Sequence, residues 1–516
     1  MKILLISVQD YREQLGLKFL HYQLLSHNYD SNLFYLKYFD KNCTDSLQSV
    51  KRFLKETNPV FIGISLMSID YHKAITITQI IREVLPGTPV VWGGIHPSIY
   101  PEMCLEYADY VSVGESEQPL LDMAAAAGDD KNFDDINNIV YKKQGVIIKN
   151  PLYPPTINLD EFFPYEHVAQ KTFVLEDKRV QALTYSLYKR YDKTQGNSYS
   201  VVTSRGCPFS CTYCCNNFYQ TLYQNKRIRR RSVAHIIAEL EKAVIKNPEL
   251  DFINFEDDSF LSAPTSYIEE FARLYKEKVG IPFIVHSIPV SITEERIIAL
   301  KEAGLAWVNV GLQSGSDNTL SQIYKRASLK TDFLKAAFML KRHNIACFYD
   351  VLVDNPFETE EDKLATLETI IQIPKPYIIR VFSLTFYPGS ELYERFVKSY
   401  PQHTLSYLEK NFCMPTNENY NHILKMAPFL FKWQIKILIK SYKKNPYSLI
   451  LKYRLFFLRY VNLIFIKPFR LFNLITMSYQ GSLATTIKKL DKYILHYLSK
   501  HIFYNTLLKN KGVLPF

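Results

Sequence analysis

A chain of 516 residues, 47% apolar and 22% charged, has the length for about three domains and enough apolar content to bury a core in each, which excludes a disordered protein. Eight cysteines, four of them isolated, exclude a disulfide framework and point to a reducing compartment. The net charge of +11 is concentrated after Tyr420, where seventeen Lys and Arg face the single acid Asp491, so the remainder of the chain is mildly acidic.

The first apolar run, Lys2 to Val8, ends too soon for a secretory segment and reads as a buried strand, so no export signal is expected. Helical spacing over 15–25 and 74–85 alternates with strand-like runs at 60–65, 89–94 and 110–113, which predicts a doubly wound parallel sheet, flavodoxin-like, over residues 1–149. Ligands of such sheets sit outside the carboxyl ends of the strands, where Asp10, Ser65 and the pair Gly93-Gly94 fall. A glycine lets a bulky ligand approach the backbone, and a strand-end hydroxyl can bond to it. Residues 150–198, with Pro151, Pro154, Pro155 and Pro164, are expected to connect two domains.

Alternation resumes at Tyr199, with six strand candidates near 200–205, 252–256, 283–288, 307–312, 347–353 and 378–386. They predict a partial (β/α)6 barrel over 199–420, open on one side, with reacting groups on the loops after the strands. Ser232, Thr331 and Thr359 are the expected helix N-caps. Residues 421–516 form a basic, helical C-terminal segment in which Lys452, Arg454, Arg459 and Lys467 interrupt each apolar run before it reaches spanning length. Two readings stay open for it: an amphipathic surface that lies on an anionic bilayer or accepts a hydrophobic substrate, and a helical cap with a solvated basic face. Its aliphatic content exceeds what a phosphate-tracking surface needs, so nucleic acid is not expected as a partner.

The loop after the first barrel strand reads Ser204-Arg205-Gly206-Cys207-Pro208-Phe209-Ser210-Cys211-Thr212-Tyr213-Cys214. Three thiolates this close can hold three irons of a cubic cluster, leaving the fourth open to bind and reduce a small molecule. A structural zinc site takes four ligands, usually from two Cys-x2-Cys pairs, and Cys43, Cys104, Cys347 and Cys413 are solitary. Cys215 reads as a packed small residue.

This spacing, with Tyr213 before the last cysteine, resembles the signature of the radical S-adenosylmethionine (SAM) enzymes. The resemblance implies a [4Fe-4S] cluster on Cys207, Cys211 and Cys214, whose open iron chelates SAM and whose reduction of it gives methionine and a 5'-deoxyadenosyl radical. It further implies that Tyr213 contacts SAM, that Glu256 or Asp257 accepts from its ammonium, and that Gln313 and Ser314 bond its ribose and carboxylate. Asp354-Asn355-Pro356-Phe357-Glu358-Thr359 matches the family's Pro-Gly-Glu-Thr only in part, with Phe357 in place of glycine.

Ser65 followed by Gly93-Gly94-Ile95-His96-Pro97 is similar to the cobalamin-binding domains, in which a serine and paired glycines line a slot for the nucleotide tail; Asp10, Ser65, Gly93 and Gly94 are the contacts so implied. Tyr387-Pro388-Gly389-Ser390-Glu391-Leu392-Tyr393 is similar to a segment that follows the barrel in cobalamin-associated members. Families that ligate cobalt through histidine carry Asp-x-His-x-x-Gly, whereas this chain reads Asp10-Tyr11-Arg12-Glu13-Gln14-Leu15-Gly16. Arg12 cannot ligate cobalt, so the resemblance implies cobalamin without a protein histidine, and His96 reads as a loop residue fixed by its neighbours.

The implied activity is methylation of an unactivated carbon of a small or lipid-like substrate, with an electron donor such as flavodoxin or ferredoxin, in the cytoplasm or peripherally at the inner membrane face. Oxidative cyclisation or rearrangement by the same architecture is the alternative. A tRNA methylthiotransferase would need more cluster cysteines in the N-terminal domain and a small C-terminal β-barrel, which Cys43, Cys104 and the helical tail do not supply. A non-catalytic scaffold binding membrane or nucleic acid around a structural cluster is the remaining reading.

Overall fold

Strand β1 (Lys2–Ser7) is buried from Ile3 onward, as a parallel strand covered on both faces must be. In this computed structural model, which describes residues 1–10, 14–161, 170–191, 198–401 and 415–461, β1 pairs in parallel with β2 (Asp30–Tyr35) and β3 (Phe61–Ser65). Strands β4 (Val90–Gly93) and β5 (Tyr110–Ser112) extend the sheet in parallel beyond β3. The strand order reverses between β1 and β3, and a crevice opens at such a switch point. The register sets Ser7 beside Ser65, and Ser65 beside Gly93, at the rim of that crevice.

Only the centre of the sheet is parallel. At one edge β6 (Ile139–Lys143) and β7 (Val146–Lys149) form an antiparallel hairpin, and at the other β8 (Thr172–Glu176) lies parallel to β2 and pairs antiparallel with β9 (Arg179–Ala182). The sheet thus has nine strands, ordered β7-β6-β5-β4-β3-β1-β2-β8-β9. This corrects the connecting role expected of 150–198, since residues 172–182 complete the N-terminal sheet. Both hairpins close through two-residue loops at positive φ, Gln144-Gly145 and Asp177-Lys178. Neither pair is the Asn-Gly or Asp-Gly signal that marks such a turn in sequence, so the second hairpin was hidden.

The second sheet contains β10 (Ser198–Val201), β13 (Phe252–Phe255), β14 (Phe283–Ser287), β15 (Leu305–Gln313), β16 (Ala346–Val353) and β17 (Ile378–Ser383), all parallel and in that order, with no pairing between β10 and β17. A short antiparallel pair, β11 (Ser204–Arg205) with β12 (Arg229–Arg230), stands on the cysteine loop. The outer face packs Val285, Val308, Val310, Tyr349 and Val351 against the helices. The inner face has an apolar floor, with Trp307 and Phe348 stacked 4.5 Å apart, and above it the polar side chains His286, Asn309, Asp350 and Arg380.

Ser232 and Thr359 cap helices as expected, each accepting from the backbone N–H three residues on. Thr331 does not, because the helix Lys330–Arg342 begins one residue earlier and is closed by Asp332 accepting from the Leu329 amide. The helices Asn419–Met426, Lys432–Lys444 and Leu449–Val461 share the barrel's core through Leu424, Leu438 and Leu451. Arg12, Cys413 and residues 462–516 of the expected C-terminal segment lie outside the described residues.

Candidate active site

The cysteine loop is held from several sides before any metal is considered. Asp257, at the end of β13, accepts from the Thr203 amide and hydroxyl at 3.1 and 2.9 Å and from the Ser204 hydroxyl at 2.5 Å, fixing the approach to the loop. Gly206 then turns the chain at φ +91°, which an L side chain rarely adopts. Gln220 donates to the Cys207 and Phe209 carbonyls at 2.7 and 3.1 Å, and Asn217 donates to the Cys211 carbonyl at 3.1 Å. On the barrel side Thr212 donates to Ile323 O and Tyr324 O, while Arg326 bridges the Tyr213 hydroxyl at 2.6 Å and the Gly311 carbonyl at 3.0 Å.

Burial pushes the Cys207 thiol up to about 12 and raises Cys211, whereas contact with the neighbouring Cys215 thiol draws Cys214 down to about 7. A buried thiol reaches its thiolate form when a metal supplies the compensating charge. Cys215, expected to be packed, is exposed at the N-cap of the helix Asn216–Leu222, with its thiol against that of Cys214. Among the described residues no three His, Cys, Asp or Glu side chains converge as they would on one ion. A cubic cluster instead takes each thiolate on a separate iron.

A cavity of about 430 Å³ runs from the crevice of the first sheet to the cysteine loop. It brings together Ser65, Gly93 and Gly94 from the first domain with Cys207, Glu256 and Asp258 from the second. Its far end is a slot between the sheet and the helices Leu15–Ser26 and Glu117–Gly128, walled by Gly63, Leu120 and Met123. Gly94 has φ +101°, and a Cβ there would lie 2.8 Å from the Leu66 carbonyl, so the rim exists in this form only with glycine. The Ser7 hydroxyl beside Ser65 is buried without a partner. A slot walled by Gly63, with Gly93, Gly94 and the Ser65 hydroxyl in its lining, fits the tail of a large cofactor, and Ser65, Gly93 and Gly94 are the residues that would hold it.

Other expected contacts fall elsewhere. Asp10 is turned to the surface, where it accepts from the Tyr38 amide at 2.8 Å and pairs with Lys73 at 2.6 Å. Asp257 is fully engaged in the loop clamp, and burial pushes it up to about 6 in spite of those bonds; of the three acids at this strand end, Glu256 and Asp258 line the cavity. Ser314 is buried, donating to Glu358 at 3.0 Å. Gln313 and Tyr213 do not line the cavity; Gln313 sits at φ +64° with its Oε1 buried and unpartnered, next to the Arg326 that holds Tyr213. That orphaned oxygen fits a ligand donor lying across the strand ends. His96 is buried in the short helix Ile95–Ile99 and not in a loop, bonded to Ser68 at 3.0 Å, and burial draws it down to about 4.

Sequence reasoning missed the charges that join the domains. Arg205 pairs with Glu117 at 2.6 Å and Glu115 at 3.5 Å, and Arg229 pairs with Glu115 at 2.5 Å. The Tyr223 hydroxyl accepts from the Glu115 amide at 2.6 Å and lies against Gly114. Gly63 was also missed, although a glycine inside a strand two residues before Ser65 is a signal for close approach on that face.

Comparison with known proteins agrees with this geometry. Residues 1–124 match the B12 binding domain family and residues 201–370 match the radical SAM superfamily. The chain is 26% identical over 411 residues to a protein named an uncharacterized methyltransferase in Pyrococcus horikoshii, covering 77% of this chain and 83% of that one. It is 24% identical over 364 residues to the anaerobic magnesium-protoporphyrin IX monomethyl ester cyclase of Rubrivivax gelatinosus, covering 68% of this chain and 60% of that one. Its fold is similar to that of the radical SAM methyltransferase TsrM from Kitasatospora setae, with a TM-score of 0.61 at 18% identity over 77% of this chain and 76% of that one. The same TM-score of 0.61 relates it to the cobalamin-dependent SAM radical enzyme OxsB, at 14% identity over 100% of this chain and 81% of that one. The chain therefore belongs to the proteins that join a B12-binding domain to a radical SAM barrel, the architecture of the cobalamin-dependent radical SAM enzymes.

Proposed function

We propose that this protein is a cobalamin-dependent radical SAM methylase that transfers a methyl group to an unactivated carbon of a small or lipid-like molecule, working in a reducing compartment with a flavodoxin- or ferredoxin-type donor. The observation that carries the reading is the single cavity shared by Cys207 and the Ser65, Gly93 and Gly94 rim. When bound, an iron-sulfur cluster and cobalamin supply one-electron chemistry and a transferable methyl group.

The chain's own residues do the rest. Cys207, Cys211 and Cys214 would supply the thiolate ligands of the cluster from a loop fixed by Asp257, Gln220 and Arg326. Gly94 and Gly93 admit a large ligand to the backbone, and the Arg205 and Arg229 pairs with Glu115 and Glu117 close the cavity wall between the domains. Glu256 faces the cavity while its Oε2 lies 3.8 Å from His286 Nε2, so it links the cavity to the polar layer inside the barrel. In that layer Asn309 meets His286 at 2.8 Å and Arg380 holds Asp350 through two bonds, above the apolar floor. A ligand with an apolar body and a few hydrogen-bonding groups suits such a lining.

Cyclisation is the second reading, favoured by the similarity to the Rubrivivax gelatinosus cyclase over 68% of the chain. Similarity to a tRNA-2-methylthio-N(6)-dimethylallyladenosine synthase of Clostridium tetani, at 30% identity, covers 35% of the chain. The test is anaerobic reconstitution followed by incubation of cell extract with SAM carrying a deuterated methyl group. A product heavier by the labelled methyl supports the methylase; 5'-deoxyadenosine with an unlabelled, dehydrogenated or rearranged product supports the alternative. Failure to form 5'-deoxyadenosine with a full iron complement would overturn both.

A further inference from the structure

The C-terminal helices carry an outward face that the barrel does not use. In the helix Lys432–Lys444, Ile435, Leu438, Ile439 and Tyr442 are buried, and Trp433, Lys436, Ile437, Lys440 and Lys444 recur at helical spacing on the opposite side, with Trp433 61% and Ile437 50% exposed. In the helix Leu449–Val461, Leu451 and Leu455 are buried, whereas Leu449, Ile450, Tyr453 and Phe457 are 66 to 73% exposed. Arg454 donates to the Ser441 hydroxyl at 3.4 Å, which sets the two faces edge to edge. Ile437 and Lys444 stand one turn either side of Ser441, and Ile450 and Phe457 stand one turn either side of Arg454.

The charge of this face is one-sided. Residues 431–461 contain eight Lys and Arg and no Asp or Glu. Lys443 pairs with Glu368, but Lys436, Lys440, Lys444 and Lys452 have no carboxylate partner among the described residues. Exposed aromatic and aliphatic side chains interleaved with cations match the boundary between anionic headgroups and acyl chains. Nucleic acid would use the cations but would leave Leu449, Ile450 and Phe457 facing water. No described helix is long and apolar enough to cross a membrane, which suits a face that lies in the interface.

We infer that the helices Lys432–Lys444 and Leu449–Val461 dock the protein on an anionic bilayer surface. This is separate from the chemistry of the cavity, and its failure leaves the methylase reading untouched. The experiment is flotation of the full chain, purified anaerobically, with vesicles of phosphatidylglycerol and phosphatidylcholine or of phosphatidylcholine alone, at low and high salt. The expected result is capture by the anionic vesicles and weak capture by the neutral ones, reduced by salt. Replacing Lys436, Lys440 and Lys444 by Glu should weaken capture about a hundred-fold, and the combined Trp433→Ser, Ile437→Ser, Tyr453→Ser and Phe457→Ser variant should weaken it at least as much. Circular dichroism and iron content should be unchanged, since every substituted side chain is exposed. Wild-type protein that stays out of the anionic vesicles overturns the inference. So does a loss confined to the charge variant, which would mark a polyanion-binding surface.

Discussion

Arg205 stands two residues before Cys207, and its guanidinium donates to Glu117 at 2.6 Å across the boundary between the two domains. Glu117 opens a helix whose side chains Leu120 and Met123 wall the slot, so one ion pair links the metal-binding loop to the cofactor crevice.

Breaking that pair should therefore loosen the cavity before it disturbs either domain. Glu117→Gln removes the nearer of the two carboxylate charges that balance the largely buried Arg205 guanidinium, at a cost of about 2–3 kcal/mol, less than for a fully buried pair because both groups keep some solvent. The expected outcome is a lower melting temperature and reduced cobalamin retention, read from visible absorbance, with the iron content of the protein close to normal.

The two glycines of the rim should respond differently. Gly94→Ala places a Cβ 2.8 Å from a carbonyl at φ +101° and should destabilise the domain by about 1–3 kcal/mol. At Gly93 a Cβ would meet nothing closer than 3.9 Å, so Gly93→Leu should fold and fill the slot. Urea denaturation should separate the first effect from the second, which should appear only as lost cobalamin binding.

Cys211→Ala should reduce 5'-deoxyadenosine formation to background while the circular dichroism spectrum is kept, because the loop is also held by bonds to its backbone carbonyls and by Thr212 and Tyr213, which the substitution leaves in place. Anaerobic chromatography of the reaction products checks it. Asp257→Ala should act differently: it strips Thr203 and Ser204 of their acceptor, costs about 1–3 kcal/mol per orphaned group, and should lower the iron content itself.

Burial pushes Glu358 up to about 7, and its Oε2 has no partner. A carboxyl whose folded value lies above its unfolded one contributes its full stability below the unfolded value and loses it as the pH rises through the folded value. Stability should thus fall from about pH 4.5 to about pH 7 and level off above. Glu358→Gln should flatten this slope and stabilise the protein by about 1–3 kcal/mol at pH 8, measured as the difference between the two melting temperatures across that range.

What the sequence determined by itself is the set of local relationships. The three cysteines lie on one loop, the six barrel strands alternate with helices, and Ser65 and Gly93 end adjacent strands, because spacing and hydrophobic period act within a few turns of chain. The tertiary structure decided which of the chemically able groups are free to act. Asp257 and Glu256 are neighbours in sequence, yet strand alternation turns one into the clamp of the cysteine loop and the other toward the cavity. Asp10 follows the carboxyl end of β1 and Ser65 closes β3, but Lys73 and the Tyr38 amide hold Asp10 at the surface. Likewise, the pairs joining Arg205 and Arg229 to Glu115 and Glu117 connect residues about a hundred positions apart, and no local pattern encodes a contact that exists only once two domains are packed.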